Sequence, residues 1–155
     1  MSKYLGLDLG SVTCGVSASD TGFIARTVKT LRFDPDDYNK ALDLVLELVE
    51  EEKPDKIILG YPKLLNDDVG ERGHICEEFA EVLQEESGIE VILWDERYTT
   101  KVAEEILLEA DVSRKKRKKK IDQLAAVQIL QTYLDSNGDY KNEWRKYYES
   151  YWWRW

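Results

Sequence analysis

Three carboxylates lie within or beside apolar segments of this sequence. Asp8 lies within the run LGLDLG, between two glycines, and Glu96 stands just beyond the apolar run IEVILW. Asp122 opens the segment IDQLAAVQILQTYLD. An ionised carboxylate beside a core is costly unless something compensates its charge, and one divalent cation compensates several carboxylates at once. The three residues are therefore candidate metal ligands and candidate catalytic residues.

Each of these side chains also has a plain structural interpretation. Asp8 can cap a turn, Asp122 can be the N-cap of a helix, and Glu96 can form an ion pair with Arg97 at a strand end. Arg97 is alternatively a contact for a substrate phosphate, because a guanidinium binds phosphate oxygens through paired hydrogen bonds. We expect Asp95 to accept a hydrogen bond near the site or to pair with Arg97.

A basic segment immediately precedes Asp122. RKKRKKK places seven consecutive cations in a chain whose net charge is -9. A charge run is commonly a solvated loop, but its position beside a candidate metal ligand favours binding of a nucleic-acid phosphate backbone. The candidate nucleic-acid-binding residues are Arg97, Arg114, Lys115, Lys116, Arg117, Lys118, Lys119 and Lys120.

The hydrophobic pattern predicts the elements that position these residues. Strand-like composition with turn signals between segments predicts three short strands that form an antiparallel meander. Helical spacing of apolar residues, after an Asp34-Pro35 cap and before Lys53-Pro54, predicts the first helix. We place strands at 4–9, 15–20, 23–33, 56–60 and 89–94, and helices at 35–52, 71–87, 99–110 and 121–135.

This order of elements predicts an α/β domain. Its mixed five-stranded sheet combines an antiparallel three-strand meander with parallel strands and is flanked by helices. In such sheets the ligand crevice lies at the carboxyl ends of the parallel strands. We expect a buried strand over IEVILW to deliver Glu96 to this crevice, together with Asp8 and Asp122.

Length and composition fit one soluble domain. The chain has 155 residues, 43% hydrophobic and 34% charged, and no apolar run approaches the length of a membrane-spanning helix. Cys14 and Cys76 form no CxxC pair, so we expect buried thiols rather than a disulfide framework or a zinc site. A strand-like pattern begins almost at once, which leaves no room for a signal peptide, and we expect a cytoplasmic protein without membrane association.

Residues 1–135 form the predicted domain, and residues 136–155 form an aromatic-rich C-terminal tail. Four of the five tryptophans lie in the tail, and its aromatic residues recur at helical spacing. We therefore expect a tail helix with one aromatic face. That face can bury against this domain or a second copy, stack on single-stranded nucleic acid, or lie at a membrane interface. The mixed charges on its other face disfavour a membrane.

Four segments together resemble the YqgF (RuvX) family: GLDLGSVTCGVSASD, LGYPKLLNDDVGERG, LWDERYTT and VSRKKRKKKIDQLAAVQILQTYLD. They occur in the family's order and span residues 3–135. The family comprises RNase H-like proteins described as Holliday junction resolvases and as nucleases that mature the 5′ end of pre-16S rRNA. The resemblance implies an RNase H-like fold, metal-binding catalytic carboxylates at Asp8, Glu96 and Asp122, and Mg²⁺ or Mn²⁺ as the cofactor.

The resemblance implies hydrolysis of phosphodiester bonds, first of all in processing the 5′ end of pre-16S rRNA. The alternatives are a Holliday junction resolvase acting on branched DNA and a nucleic-acid-binding protein with weak or lost cleavage. Departures from the family pattern at Val12, Tyr61 and Leu64 bear on substrate contacts, and polar residues of the loop after position 61, among them Arg72, are replacement contacts. An ATP-binding protein of the actin type is disfavoured because it needs two lobes. The expected state is a monomer or a homodimer.

Overall fold

The computed structural model describes residues 2–62, 69–95 and 114–137 and, within the last range, the side chains of residues 124–136. The strands are β1 (Tyr4–Leu9), β2 (Thr13–Ser19), β3 (Arg26–Arg32), β4 (Lys56–Tyr61) and β5 (Glu90–Asp95). The helices are α1 (Tyr38–Glu52), α2 (Glu71–Ser87) and α3 (Arg114–Asn137). None of the helices in these three ranges is long and apolar enough to cross a membrane. The predicted helix at 99–110 and most of the predicted tail lie outside the described residues.

The strands form one mixed sheet in the order β3-β2-β1-β4-β5, which confirms the predicted architecture. β1, β2 and β3 pair antiparallel as a meander, whereas β1, β4 and β5 run parallel to one another. β5 is exposed or half-buried along its length. The prediction of a fully buried strand there was wrong, because among the described strands β5 pairs only with β4 and forms an edge of the sheet.

Alternation along β1 divides the core into two layers. Leu5, Leu7 and Leu9 pack with α1 and α2 on one face of the sheet. Tyr4 packs with α3 on the other face, and Gly6 lies directly against the same helix. Each fully buried aliphatic side chain contributes about 1.5–3 kcal/mol. The two layers therefore hold the sheet firmly between its helices.

α1 begins later than the sequence predicted. Asp37 is its N-cap, and the Asp37 carboxylate accepts a hydrogen bond from the Lys40 N–H at 3.1 Å. Asp34, the predicted cap, instead precedes a turn in which Asp36 has a left-handed backbone with φ 58°. The helix ends where predicted, at a left-handed Lys53. The Asp-Pro signal therefore belongs to the turn before the helix.

α2 confirms its predicted limits. It begins at Glu71 and ends at Ser87, after which Gly88 adopts φ 71° and closes the last turn. In the first turn, a Cβ added to Gly73 would lie 2.6 Å from the Val69 Cγ1 atom. Glycine at that position lets the beginning of α2 pack closely against the segment that precedes it.

α3 begins at Arg114, so the basic segment forms the first two turns of the helix and is not a loop before it. Lysine and arginine are good helix formers, and residues 114–120 contain no glycine or proline, which explains the earlier start. Asp122 lies inside the helix, so the prediction that it opens the helix was wrong. The interpretation of Asp122 as an N-cap is wrong for the same reason.

Cys14 and Cys76 are buried free thiols, as predicted. Burial raises the pKa of the Cys14 thiol well above its usual range, and the nearby negative charge of Asp8 adds to the rise. Cys14 is therefore neutral and acts as a small hydrophobic side chain in the core.

Candidate functional site

Asp8 lies near the carboxyl end of β1, where it pairs with Gly15 of β2. It alternates with Tyr4 and Gly6, so it belongs to the face of the sheet that α3 covers. Tyr4 and Gly6 are buried, whereas Asp8 is only half-buried. Its carboxylate therefore stands at the boundary between the core and solvent.

Two contacts with β1 fix the direction of α3 across the sheet. The rings of Tyr4 and Tyr133 have centroids 6.1 Å apart. Two residues further along the strand, a Cβ added to Gly6 would lie 2.8 Å from the Leu130 Cβ and 3.2 Å from the Ala126 carbonyl oxygen. Residue numbers along the helix therefore fall as residue numbers along β1 rise.

This direction brings the third turn of α3 toward Asp8. Asp122 precedes Ala126 by about one helical turn, and Asp8 follows Gly6 by two residues on the same strand face. One helical turn advances about 5.4 Å and two strand residues advance about 6.7 Å, so the two steps are similar in length. The backbone at position 122 is described, whereas its side chain lies outside the described part of the chain.

Hydrogen bonds hold α3 in this register. The Ser17 hydroxyl of β2 donates to the Ala126 carbonyl at 2.7 Å in a buried position. Further along the helix, the Gln131 amide accepts from the Ala25 N–H at 2.9 Å and donates to the Phe23 carbonyl at 2.9 Å. Sliding the helix along the sheet would leave these groups without partners, which is costly where they are buried.

β4 presents a glycine beside Asp8. Leu7 of β1 pairs with Leu59, and the next residue, Gly60, pairs with Trp94 of β5. Gly60 therefore continues the row of the sheet that contains Asp8, and it carries no side chain on the α3 face. At this level of the sheet β4 places no side chain next to the Asp8 carboxylate.

β5 ends at Asp95, which belongs to the opposite face of the sheet from Asp8. Val91 and Leu93 pack with the layer of α1 and α2, whereas Ile92 and Trp94 pack with the layer of α3. Asp95 continues the series of Val91 and Leu93. The residues at positions 96 and 97 follow outside the described ranges.

A ring of hydrogen bonds, the Arg72 circuit, surrounds the turn after Asp8. The Arg72 guanidinium donates to the Leu9 carbonyl at 2.6 Å and to the Tyr38 hydroxyl at 2.8 Å. The Tyr38 hydroxyl donates to the Asp36 carboxylate at 3.0 Å, and the Asp36 N–H donates to the Ser11 carbonyl at 2.8 Å. Because Ser11 stands two residues after Leu9, the circuit closes through the backbone of the turn. Burial raises the pKa of Tyr38, so its hydroxyl stays protonated and donates.

Sequence reasoning missed this circuit. It treated Arg72 as a loop residue able to contact substrate, whereas Arg72 is the second residue of α2 and binds groups of the protein itself. A signal was present in the sequence, because a cation in the first turn of a helix opposes the helix dipole and so indicates a specific partner. The partners were hidden, since they lie 34 and 63 residues away in the chain.

Two of the three departures from the family pattern are described. Val12, in the turn after Asp8, is 42% exposed. Tyr61 ends β4, and its hydroxyl lies 2.9 Å from a carboxylate oxygen of Glu77, to which it donates. Leu64 is not among the described residues. Tyr61 is thus tied to α2, whereas Val12 presents an apolar surface to solvent.

The structure describes the side chain of one predicted metal ligand, Asp8. Asp122 and residues 114–120 are placed as backbone of α3, and Glu96 and Arg97 lie outside the described residues. Among the side chains that the structure describes, no three His, Cys, Asp or Glu residues form a metal-binding group. The three-carboxylate site therefore stays a prediction, supported by the register of α3.

The sheet order and its two helical layers define the class of protein. T. thermophilus RuvC in complex with Holliday junction substrate superposes with a TM-score of 0.58 at 15% identity, over 88% of this chain and 97% of that chain. A second Thermus thermophilus RuvC structure gives a TM-score of 0.53 at 13% identity, over 86% and 96% of the two chains. The protein therefore has the RNase H-like fold, as predicted.

Within this class, the chain belongs to the RuvX family. The family model, described as Holliday junction resolvase, matches residues 2–136. Relatives from Bacillus licheniformis, Listeria monocytogenes and Bacillus subtilis are 50%, 49% and 48% identical over 135 residues. The matches cover 86% of this chain and 97%, 98% and 98% of the respective relatives, each of which is named "Putative pre-16S rRNA nuclease". The family predicted from the sequence is confirmed.

Proposed function

We propose that this protein is a metal-dependent nuclease that hydrolyses phosphodiester bonds in processing the 5′ end of pre-16S rRNA. Relatives that are 48% to 50% identical to this chain are each named "Putative pre-16S rRNA nuclease". The observation that carries the proposal is the position of Asp8, a half-buried carboxylate on the α3 face of β1, in register with the turn of α3 that contains Asp122. A role in processing pre-16S rRNA supports the expected cytoplasmic location.

Asp8, Glu96 and Asp122 are the proposed ligands of Mg²⁺ or Mn²⁺. The register of α3 supports Asp122. Strand alternation places Asp95 on the face of the sheet opposite Asp8, which disfavours Asp95 as a ligand beside it. Gly60 adds no side chain beside Asp8, which suits a ligand there. Carboxylate oxygens are the hard ligands that both cations prefer, so the donor set fits the metal.

Phosphodiester hydrolysis needs an activated water and a neutralised phosphate. A bound divalent cation supplies the activation, because it lowers the pKa of its water and offsets negative charge on the phosphate. Asp8, Glu96 and Asp122 would hold the cation. Arg97 would contact the scissile phosphate through its N–H groups and stabilise the charge that develops there. Because Asp8 belongs to a strand packed on both faces, it needs little rearrangement for this role.

The basic first turns of α3 are the proposed contact with the phosphate backbone. Seven consecutive basic residues, 114–120, form the first two turns of this helix. Because Asp122 follows in the same helix, phosphates bound there lie next to the metal site.

Holliday junction resolution is the second candidate function, because the description of the family names it. A resolvase cuts two strands of a branched DNA and would work as a homodimer, whereas a nuclease that trims one RNA end can act as a monomer. A third candidate is binding of nucleic acid with weak or lost cleavage, which the exposed Val12 favours because an apolar side chain gives no phosphate contact there.

Asp8→Asn tests the site. Asparagine keeps the size of the side chain and removes the charge that holds a cation, so cleavage of a precursor 16S rRNA fragment with Mg²⁺ should be abolished. Binding of the same fragment without metal should be unchanged in a gel-shift assay. Asp43→Asn removes an exposed carboxylate on α1, in the opposite layer, and should cleave like the wild type. Equal cleavage by Asp8→Asn and the wild type would contradict the proposal.

A further inference from the structure

We propose that Arg72 is a positioning residue for Asp8, an inference that rests on the metal site of the proposed function. Arg72 acts through the backbone, because the carbonyl that it binds belongs to Leu9, the residue after Asp8. The guanidinium thereby fixes the peptide at the end of β1. With that peptide it fixes the direction in which the Asp8 carboxylate points.

The contacts of Arg72 join three elements at one end of the sheet. Arg72 is in the first turn of α2, Leu9 is the last residue of β1, and Tyr38 is the first residue of α1. The bond to the Leu9 carbonyl is short, at 2.6 Å, as expected for a charge-assisted hydrogen bond in a partly buried position. A single side chain therefore sets the relative positions of both helices and the strand that carries Asp8.

The remainder of the Arg72 circuit holds the other side of the same turn. The Leu9 and Ser11 carbonyls flank Gly10, and the Gly10 N–H donates to the Thr13 carbonyl at 2.7 Å. Asp36, which binds Ser11, has a φ of 58°, an uncommon conformation for a residue with a side chain that persists where its surroundings enforce it. The turn after Asp8 is thus held on both sides, by Arg72 at Leu9 and by Asp36 at Ser11.

A purely stabilising role for Arg72 makes a different prediction from a positioning role. If Arg72 only adds stability, its loss lowers the melting temperature and leaves metal binding intact. If Arg72 positions Asp8, its loss weakens metal binding more than the loss of stability explains. Outer partners of metal ligands typically change metal affinity or activity by about 10–100-fold.

Arg26→Met is the matched control for Arg72→Met. Arg26 also has a guanidinium with two partners, Asp20 and Glu52, and it lies at the end of the sheet away from Asp8. Both substitutions replace an arginine by an unbranched apolar side chain. Arg72→Lys keeps the charge but lacks the fork that spans two partners. Tyr38→Phe removes the link to α1 and leaves the bond from Arg72 to Leu9.

The measurement is the rise in melting temperature on titration with Mn²⁺, since a ligand that binds only the folded state stabilises it. Arg26→Met should respond to Mn²⁺ like the wild type, whatever its melting temperature without metal. Arg72→Met should need about tenfold more Mn²⁺ for the same rise, with Arg72→Lys and Tyr38→Phe in between. The Mn²⁺ concentration for half-maximal cleavage should follow the same order.

The possible results separate the two levels of the proposal. A wild-type Mn²⁺ response in Arg72→Met, or equal weakening in Arg72→Met and Arg26→Met, would overturn the positioning role. If Arg72→Met does not fold, the same comparison is made with Arg72→Lys. A wild-type protein that shows no response to Mn²⁺ would instead overturn the metal site, and this inference with it.

Discussion

Gly6 stands two residues before Asp8, on the face of β1 that α3 covers. An added Cβ there would lie 2.8 Å from the Leu130 Cβ and would also meet the Ser17 hydroxyl. Neither neighbour can move freely, because Ser17 donates to the carbonyl of Ala126 in the same helix. A glycine thus permits the close approach that brings α3 and its candidate ligand toward Asp8.

Gly6→Ala should push α3 away from β1 and destabilise the protein by about 1–3 kcal/mol, as overpacking usually does. Urea unfolding measures the change. Gly88→Ala is the control, because nothing lies within 4 Å of its added Cβ while its φ of 71° is strained for alanine. Both variants lose stability, but only Gly6→Ala should also cleave more slowly under conditions in which it is folded. Equal cleavage by the two variants would show that the position of α3 against β1 does not affect the candidate site.

At the scale of single residues, the sequence could predict those residues whose type is unusual among their neighbours in the chain. Asp8 was identifiable because a carboxylate between glycines in an apolar strand is locally unusual. Arg72 and Tyr38 were not, because their importance comes from a contact between distant segments. Glu96 stays a prediction, because it lies outside the described residues.

Charged side chains cluster at the end of the sheet away from Asp8. Lys3 before β1 lies 2.9 Å from Glu52 at the end of α1. Arg26, which begins β3, lies 2.7 Å from Asp20 and 3.2 Å from Glu52. The hydrogen bond from Arg26 lowers the pKa of the Asp20 carboxyl from 3.8 to about 2. The cluster joins the ends of four elements through ion pairs.

The stability that Asp20 contributes should disappear in acid. Because its folded pKa of about 2 is below the ordinary value of 3.8, the contribution is complete above pH 3.8 and is lost as the pH falls toward 2. Asp20 is half-exposed, so screening limits the contribution to about 0.2–1 kcal/mol. In urea unfolding, Asp20→Asn should be less stable than the wild type at pH 6 and approach it near pH 2. A difference that persists undiminished at pH 2 would contradict an origin in ion pairs.

At the scale of the elements, a helix end was predicted correctly where a residue near that end determines it. Both ends of α2 were predicted, because Gly88 supplies the left-handed residue that ends it. The start of α1 was wrong because Asp34 and Asp37 are both possible caps, and a tertiary hydrogen bond from the Asp36 N–H to Ser11 selects the later one. The start of α3 was wrong because a charge run is typical of a loop, although lysine and arginine favour a helix.

At the scale of the whole molecule, the relatives and the family match leave the C-terminal residues of the chain unmatched. The relatives match 135 residues, which is 97% to 98% of their own length, and the family match ends at residue 136. The last buried residue described in α3 is Leu134. We therefore expect the predicted domain, residues 1–135, to fold without the C-terminal tail, which holds four of the five tryptophans.

Truncation after Ser136 should leave the circular dichroism spectrum of the domain and its cleavage rate per active site unchanged. We expect the aromatic face of the tail to bury against the domain or a second copy, so truncation should change solubility or oligomeric state, measured by light scattering after gel filtration. Unchanged solubility, oligomeric state and nucleic-acid affinity would remove the reason to assign the tail a role. Loss of cleavage in the folded truncation would place the tail within the site.

The fold was predictable as a whole because the spacing of apolar residues indicates the strands and helices, and few sheet topologies are compatible with their order. The site was predictable only in part. The position of Asp8 follows from one strand, whereas its relation to α3 depends on Gly6, Ser17 and Ala126, which belong to three different elements.

The central claim is that Asp8 belongs to the metal site of a nuclease that processes pre-16S rRNA. The direct test compares cleavage of a precursor 16S rRNA 5′ fragment and a four-way DNA junction by the wild type and Asp8→Asn, each with Mg²⁺, Mn²⁺ or EDTA. We predict that the wild type with metal cuts the rRNA fragment faster than the junction, and that EDTA or Asp8→Asn abolishes cutting of both. Faster cutting of the junction would favour the second candidate function. Failure of the wild type to cut either substrate with either metal, or equal cutting by Asp8→Asn, would contradict the central claim.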